Sequence, residues 1–135
     1  MQDEMVIEAA VENLPEVIGF IERHLEEVQC GMKAQMQICI AAEEVFVNIA
    51  NYAYAPDKGN ATVRIDVTEE PLVIITFMDN GVPFDPLKKE DPDISLPASE
   101  RRIGGLGIFM TKKTMDNVEY EYRDGQNILR LKKNL

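Results

Sequence analysis

Glu44 and Asn48 lie four positions apart in a run of mostly helix-compatible residues. That spacing puts both side chains on one helix face, about one turn apart. Their neighbours Val45, Phe46, Val47 and Ile49 are apolar, which makes a fully solvated face the less natural reading. An inward Asn offers its carbonyl oxygen to a hard cation such as Mg²⁺. An inward Glu one turn earlier can polarise a water or a hydroxyl. Asn51, three residues after Asn48, either extends this polar stripe or is an ordinary polar residue near a helix end.

Two further segments could complete a site. Asp79-Asn80-Gly81 follows the apolar run Leu72–Met78. It reads as a plain turn after a strand, or as an Asp that accepts a hydrogen bond from an exocyclic amine. Adenine carries such an amine where guanine presents a carbonyl. Gly81 would let the backbone approach the base. Gly104-Gly105-Leu106-Gly107 precedes Ile108-Phe109-Met110 and opens a helix. Its glycines leave N–H groups accessible, and a helix N-terminus favours an anion. Arg101 and Arg102, just upstream, read either as charges for a γ-phosphate or as ordinary solvated arginines. The loop lacks the Gly-Lys-Ser/Thr of a Walker loop and the preceding strand of a Rossmann loop; a flexible hinge is its competing reading. In this order the three segments describe a nucleotide site.

The elements that must position these residues follow from periodicity. Met5 to Ala9 reads as a short strand. Asn13 can cap a helix with Pro15 in its first turn, and Val17, Ile18, Ile21, Leu25 and Val28 mark its apolar face. The only histidine, His24, is expected near the surface of this helix. Gly31 breaks the chain. A longer helix then runs from Lys33 to about Tyr54, apolar over much of its circumference (Met36, Ile40, Val45, Phe46, Val47, Ile49, Ala50) and so expected to be sandwiched in the core. Pro56-Asp57-Lys58-Gly59 ends it. Ala61–Val67 and Leu72–Met78 form a hairpin around Glu69-Glu70-Pro71. Residues 81–103 carry Pro83, Pro86, Pro92 and Pro97 with little periodicity, the mark of a functional lid or a disordered segment. A third helix runs from Leu106 to about Met115. Val118–Tyr122 and Ile128–Leu131 are strands joined by the hairpin signal Asp124-Gly125. Paired strands indicate an α+β two-layer sandwich, with helices on one face of a mixed, largely antiparallel sheet.

At 135 residues the chain is expected to form one domain, residues 1–135. Its formal net charge of −10 argues against a nucleic-acid backbone or an anionic membrane surface as partner. An acidic body can still hold a nucleotide where backbone N–H groups and Mg²⁺ supply the positive field. Cys30 and Cys39 do not have metal or redox spacing and are expected to be reduced, buried thiols. The start has no basic signal-like region and no apolar run approaches a membrane span, so a cytoplasmic location is expected.

The three segments resemble the N, G1 and G2 boxes of the GHKL (Bergerat-fold) ATPases. Within that superfamily, Glu44 and Asn48 followed by Asn51-Tyr52-Ala53-Tyr54, then Asp79-Asn80-Gly81-Val82-Pro83-Phe84-Asp85-Pro86, then Gly-Gly-Leu-Gly-Ile, look most like the anti-sigma-factor serine/threonine kinase branch. The stretch Tyr120–Asn127 resembles that branch too. The resemblance implies ATP and Mg²⁺ as cofactors, Asn48 as the Mg²⁺ ligand, Glu44 as the general base and Asp79 as the adenine acceptor. It implies that Gly81, Gly105 and Gly107 shape the pocket, that Gly104, Leu106 and Ile108 lie beside the phosphates with Arg102 near them, and that residues from about 87 to 103 are the ATP lid. Two positions depart from the pattern: Pro83 stands where many members have a second G1 glycine, and Gln126-Asn127-Ile128 stands where a Thr often lies near the base.

The resemblance further implies a protein kinase acting on a STAS-type anti-sigma-factor antagonist, with a sigma factor as a second partner and a homodimer as the assembly. Two competitors come from other classes. A non-catalytic ATP-binding partner-switch module would tolerate loss of Glu44, whereas a kinase would not. An ATP hydrolase would release phosphate without a protein acceptor, and on chain length it is the less expected of the two.

Overall fold

The computed structural model describes residues 1–54, 57–88 and 105–135. In chain order these form β1 (Gln2–Glu8), α1 (Leu14–Glu27), α2 (Met32–Tyr52), β2 (Asn60–Val67), β3 (Leu72–Asp79), α3 (Gly105–Thr114), β4 (Asn117–Arg123) and β5 (Gln126–Asn134). Short 3₁₀ turns at Val11–Asn13 and Pro86–Lys88 precede α1 and follow β3. The strands make one five-stranded sheet in the order β1-β2-β3-β5-β4, and every pairing is antiparallel. The expected α+β two-layer arrangement holds, with a sheet that is antiparallel throughout these pairings. The expected lid falls mostly on residues 89–104, outside the described residues.

Strand alternation sorts the sheet into two faces. Ala61, Val63 and Ile65 of β2, Val73, Ile75 and Phe77 of β3, and Leu129 and Leu131 of β5 are buried. Ile75 lies opposite Ile65 and Leu131, and Phe77 opposite Val63 and Leu129. Val17, Phe20, Ile21 and Leu25 of α1 and Ile38, Ala41, Ala42, Val45 and Phe46 of α2 close the same core. Each large side chain taken from water contributes about 1.5–3 kcal/mol. The opposite face carries solvent-facing ion pairs, the exposed Arg64–Glu4 and the part-buried Lys132–Glu119, and a surface pair is worth about 0–1 kcal/mol. The β4–β5 turn is Asp124-Gly125, both with positive φ (54° and 79°), the geometry of a tight two-residue hairpin.

Five expectations need correction. His24 is buried rather than near the surface. Position 24 continues the 17-20-21-24-25 stripe of α1, and helical period outweighs its polarity because Asp3 on β1 supplies a partner 2.9 Å from Nε2. Met36 and Ile40 are not in the core: with Met32 they form a solvent-facing row. In a two-layer sandwich α2 has the sheet beneath it and α1 and α3 beside it, so the N-terminal half keeps one open side. Asn13 makes no side-chain cap; its Nδ2 donates to the Glu8 carbonyl instead. Cys30 and Cys39 are free but only half-buried, and α2 ends at Tyr52 rather than Tyr54.

Candidate nucleotide site

The α2 face that carries Glu44 and Asn48 is half-buried. Asn48 Nδ2 lies 3.4 Å from Glu44 Oε1. With its amide nitrogen turned to Glu44, Asn48 keeps its carbonyl oxygen as the atom suited to a hard cation. Among the described residues no group of three His, Cys, Asp or Glu side chains converges on a point. The Asn48 carbonyl would offer Mg²⁺ one hard oxygen ligand, with water and phosphate oxygens completing its shell.

Asp79 is the last inward residue of β3, after Val73, Ile75 and Phe77, and only 4% exposed. Its Oδ1 accepts the Gly81 N–H and the Asn127 Nδ2–H, each at 2.9 Å. Gly81 is required by close approach: a Cβ there would stand 2.3 Å from the Ala53 carbonyl oxygen. Tyr54, just beyond α2, fixes the neighbouring residue, because its hydroxyl accepts the Asn80 N–H and donates to the Asn60 carbonyl. Burial pushes the Tyr54 hydroxyl up, so it stays a donor at neutral pH.

Between α2 and the sheet lies a narrow apolar slot that opens to solvent. Its apolar wall is built by Val45, Ile49, Phe77, Ile108 and Leu129. Asn48, Asp79, Tyr120 and Asn127 are the polar groups on it. Tyr52 and Phe84 stand at its edge with ring centroids 6.2 Å apart. An apolar slot with a few convergent polar groups is the form of a small-molecule site, and a flat heteroaromatic ring suits it.

The structure brings together Asn48, Asp79 and Ile108 on the cavity, with Gly81 behind Asp79. Gly107 approaches Glu44: a Cβ on Gly107 would stand 2.1 Å from Glu44 Cδ. The catalytic candidate on α2 therefore sits against the first turn of α3, the end of a helix that attracts anions. Gly105 and Leu106 lie in that first turn. Asn51 is exposed and stands outside the cavity wall, so the polar stripe ends at Asn48. Arg101, Arg102 and Gly104 fall outside the described residues.

Sequence reasoning gave no cavity role to Tyr120 or to the aromatic pair Tyr52–Phe84, and it placed the stretch Gln126-Asn127-Ile128 near the base only through the family resemblance. A signal for Asn127 was present. Counting back by twos from Leu131 and Leu129 puts residue 127 on the inner face, opposite Asp79.

The profile of the histidine kinase-like ATPase domain family matches residues 7–133. The chain is 35% identical over 97 residues to the serine-protein kinase RsbW of Bacillus cereus strain B4264. It is 33% identical over 97 residues to the serine-protein kinase RsbW of Bacillus thuringiensis subsp. konkukian. Each alignment covers 69% of this chain and 60% of the relative, so the match spans somewhat less than two thirds of those proteins. The fold also superposes on a crystal structure of the RsbU and RsbW domains of a Mycobacterium tuberculosis protein, with TM-score 0.73 and 16% identity, over 100% of this chain and 32% of that one. The chain belongs to the histidine kinase-like ATPase domain family.

Proposed function

We propose that the protein is an ATP-dependent serine/threonine protein kinase of the anti-sigma-factor type. Its substrate would be a STAS-type antagonist protein, with a sigma factor as second partner and a homodimer as the working assembly. The observation that carries the reading is the placement of Glu44. It lies one turn from Asn48 at the cavity and in contact distance of the first turn of α3. The names of the RsbW relatives support the same activity.

In this reading the adenine enters the apolar slot and its exocyclic amine donates to Asp79. The phosphates run along α2 toward the first turn of α3, where Gly107 leaves room for Glu44. Bound Mg²⁺, held by Asn48, would offset charge on the phosphates. Glu44 accepts the proton of the Ser or Thr hydroxyl as its oxygen bonds to the γ-phosphorus. The bond between that phosphorus and the β–γ bridging oxygen breaks, and ADP leaves. Such a transfer asks mainly for positioning and charge stabilisation, so a sparse set of side chains suffices.

The test is incubation with Mg²⁺, labelled ATP and candidate STAS-domain proteins, with Glu44→Gln in parallel. Label on a Ser or Thr of one candidate, lost in the variant, is the expected result. Nucleotide binding with equal function of wild type and variant would favour the non-catalytic switch module. Phosphate release without acceptor labelling would favour a hydrolase.

A further inference from the structure

We infer that Asn127 is a positioning residue that aims Asp79 into the cavity and thereby sets preference for an adenine base. The inference rests on the nucleotide reading above and names a residue that reading does not need.

Asn127 and Asp79 are directly opposite partners on β5 and β3, and both are buried. A carboxamide offers two N–H donors and two acceptor lone pairs. Here all four are used within the protein. One N–H goes to Asp79 Oδ1 at 2.9 Å and the other to the Val82 carbonyl at 2.8 Å. The carbonyl oxygen accepts the Phe84 N–H at 3.1 Å and the Tyr120 hydroxyl. Burial pushes the Tyr120 hydroxyl up, which keeps it protonated as that donor.

Saturation decides the role. A side chain with no donor or acceptor left cannot itself read the base. It can fix what does. Asp79 Oδ1 holds two hydrogen bonds from Gly81 and Asn127, so the carboxylate cannot rotate without breaking both. The other oxygen, Oδ2, is then the acceptor available to a base in the cavity. The same carboxamide also ties Val82 and Phe84, the loop after Gly81, to β5. Losing it would free the Asp79 rotamer and leave a buried carboxylate, a carbonyl and an N–H short of partners, each of which is costly. A guanine base would place a carbonyl against the aimed Oδ2, so the aim discriminates as well as binds.

The experiment measures dissociation constants of wild type and Asn127→Leu for MgATP and MgGTP by calorimetry, with thermal unfolding of each protein without nucleotide. Wild type is expected to prefer ATP. In Asn127→Leu the ATP affinity is expected to fall at least tenfold and the GTP affinity to change less, so the preference shrinks. Asn127→Asp gives a second readout. Its introduced carboxyl faces Asp79 and the Val82 carbonyl with oxygen in place of the N–H donors. ATP binding should therefore be weak at pH 8 and recover toward pH 5.5, where a protonated carboxyl can donate again; wild type should lack this recovery. A melting temperature that drops in both variants while ATP affinity stays within twofold of wild type would reduce Asn127 to a stabilising residue and overturn the inference. Failure of wild type to bind ATP would overturn the nucleotide reading itself, and this inference with it.

Discussion

The carboxylate of Glu44 rests directly over the backbone of Gly107. A Cβ built on Gly107 would stand 2.1 Å from Glu44 Cδ and 2.2–2.3 Å from its two oxygens. Two motifs far apart in sequence thus share one point of contact, and α2 approaches α3 there because residue 107 has no side chain. Gly107→Ala is expected to push the Glu44 carboxylate aside while sparing the adenine end of the cavity. Misplacing a reacting group by about 1 Å can cost about a hundredfold in rate. Phosphotransfer assays should show kcat lower by roughly ten- to a hundredfold with KM for ATP little changed. A rise in KM at unchanged kcat would remove Glu44 from the chemistry.

Gly81 and Gly19 make a paired test of close approach. At Gly81 a Cβ would meet backbone atoms of Ala53, its oxygen at 2.3 Å and its carbonyl carbon at 2.6 Å, where the chain is also held by the Val82 N–H bond to the Ala53 carbonyl. Backbone cannot swing away as a side chain end can. Gly81→Ala is expected to destabilise the fold by about 1–3 kcal/mol, the usual cost of overpacking, and to weaken nucleotide binding. Gly19 lies exposed in the middle of α1 with no atom within 4 Å of such a Cβ. Gly19→Ala is expected to stabilise by about 0.5–1 kcal/mol through helix propensity. Denaturant unfolding of both variants checks the opposite signs.

The hydrophobic residues of α2 divide just as sharply. Phe46 is fully buried in the main core, whereas Met36 is 59% exposed. Phe46→Ala is expected to cost about 3–5 kcal/mol in transfer and cavity terms. Met36→Ala should stay within about 0.5 kcal/mol. Equal losses at the two positions in unfolding experiments would mean that the Met32–Met36–Ile40 row is covered in solution.

These contrasts show what the sequence carried and what it did not. Strand periodicity and turn chemistry placed β2, β3 and the β4–β5 hairpin, since alternation depends only on which residues face a core. Period and Pro15 in the first turn placed α1, although the Asn13 side chain does not cap it. The three motifs were readable because each has a local geometric demand: one helix turn between Glu44 and Asn48, a strand end at Asp79, a helix start at Gly105. The burial of His24 and the exposure of Met36 and Ile40 were not readable, because which side of a helix stays open is decided by neighbours distant in sequence. Asn127 escaped for a related reason. Its importance comes from lying opposite Asp79 across a strand pairing that 48 residues separate; alternation along β5 puts residue 127 on the inner face, but only that pairing shows what it meets.

Cys39 supplies a pH-dependent prediction. Burial first, then the Glu22 carboxylate and the neighbouring Cys30, pushes its thiol up to about 11 from the ordinary value of 9.0. All three causes disfavour the thiolate, which is the reactive form. At pH 8 alkylation of Cys39 in the folded protein should be about a hundredfold slower than for an ordinary thiol, as a two-unit shift requires, and the rate should keep climbing toward pH 11. The same shift acts on stability. Because the folded value lies above the unfolded one, the fold prefers the protonated thiol. Its contribution is full below about pH 9 and is lost as pH rises through about 11. Unfolding midpoints of wild type should therefore fall more steeply across that window than those of Cys39→Ser, the difference cancelling the tyrosines and lysines that titrate in both. An alkylation profile that levels off near pH 9, together with parallel stability curves, would show that the thiol is open to solvent and that α1 does not cover this part of α2.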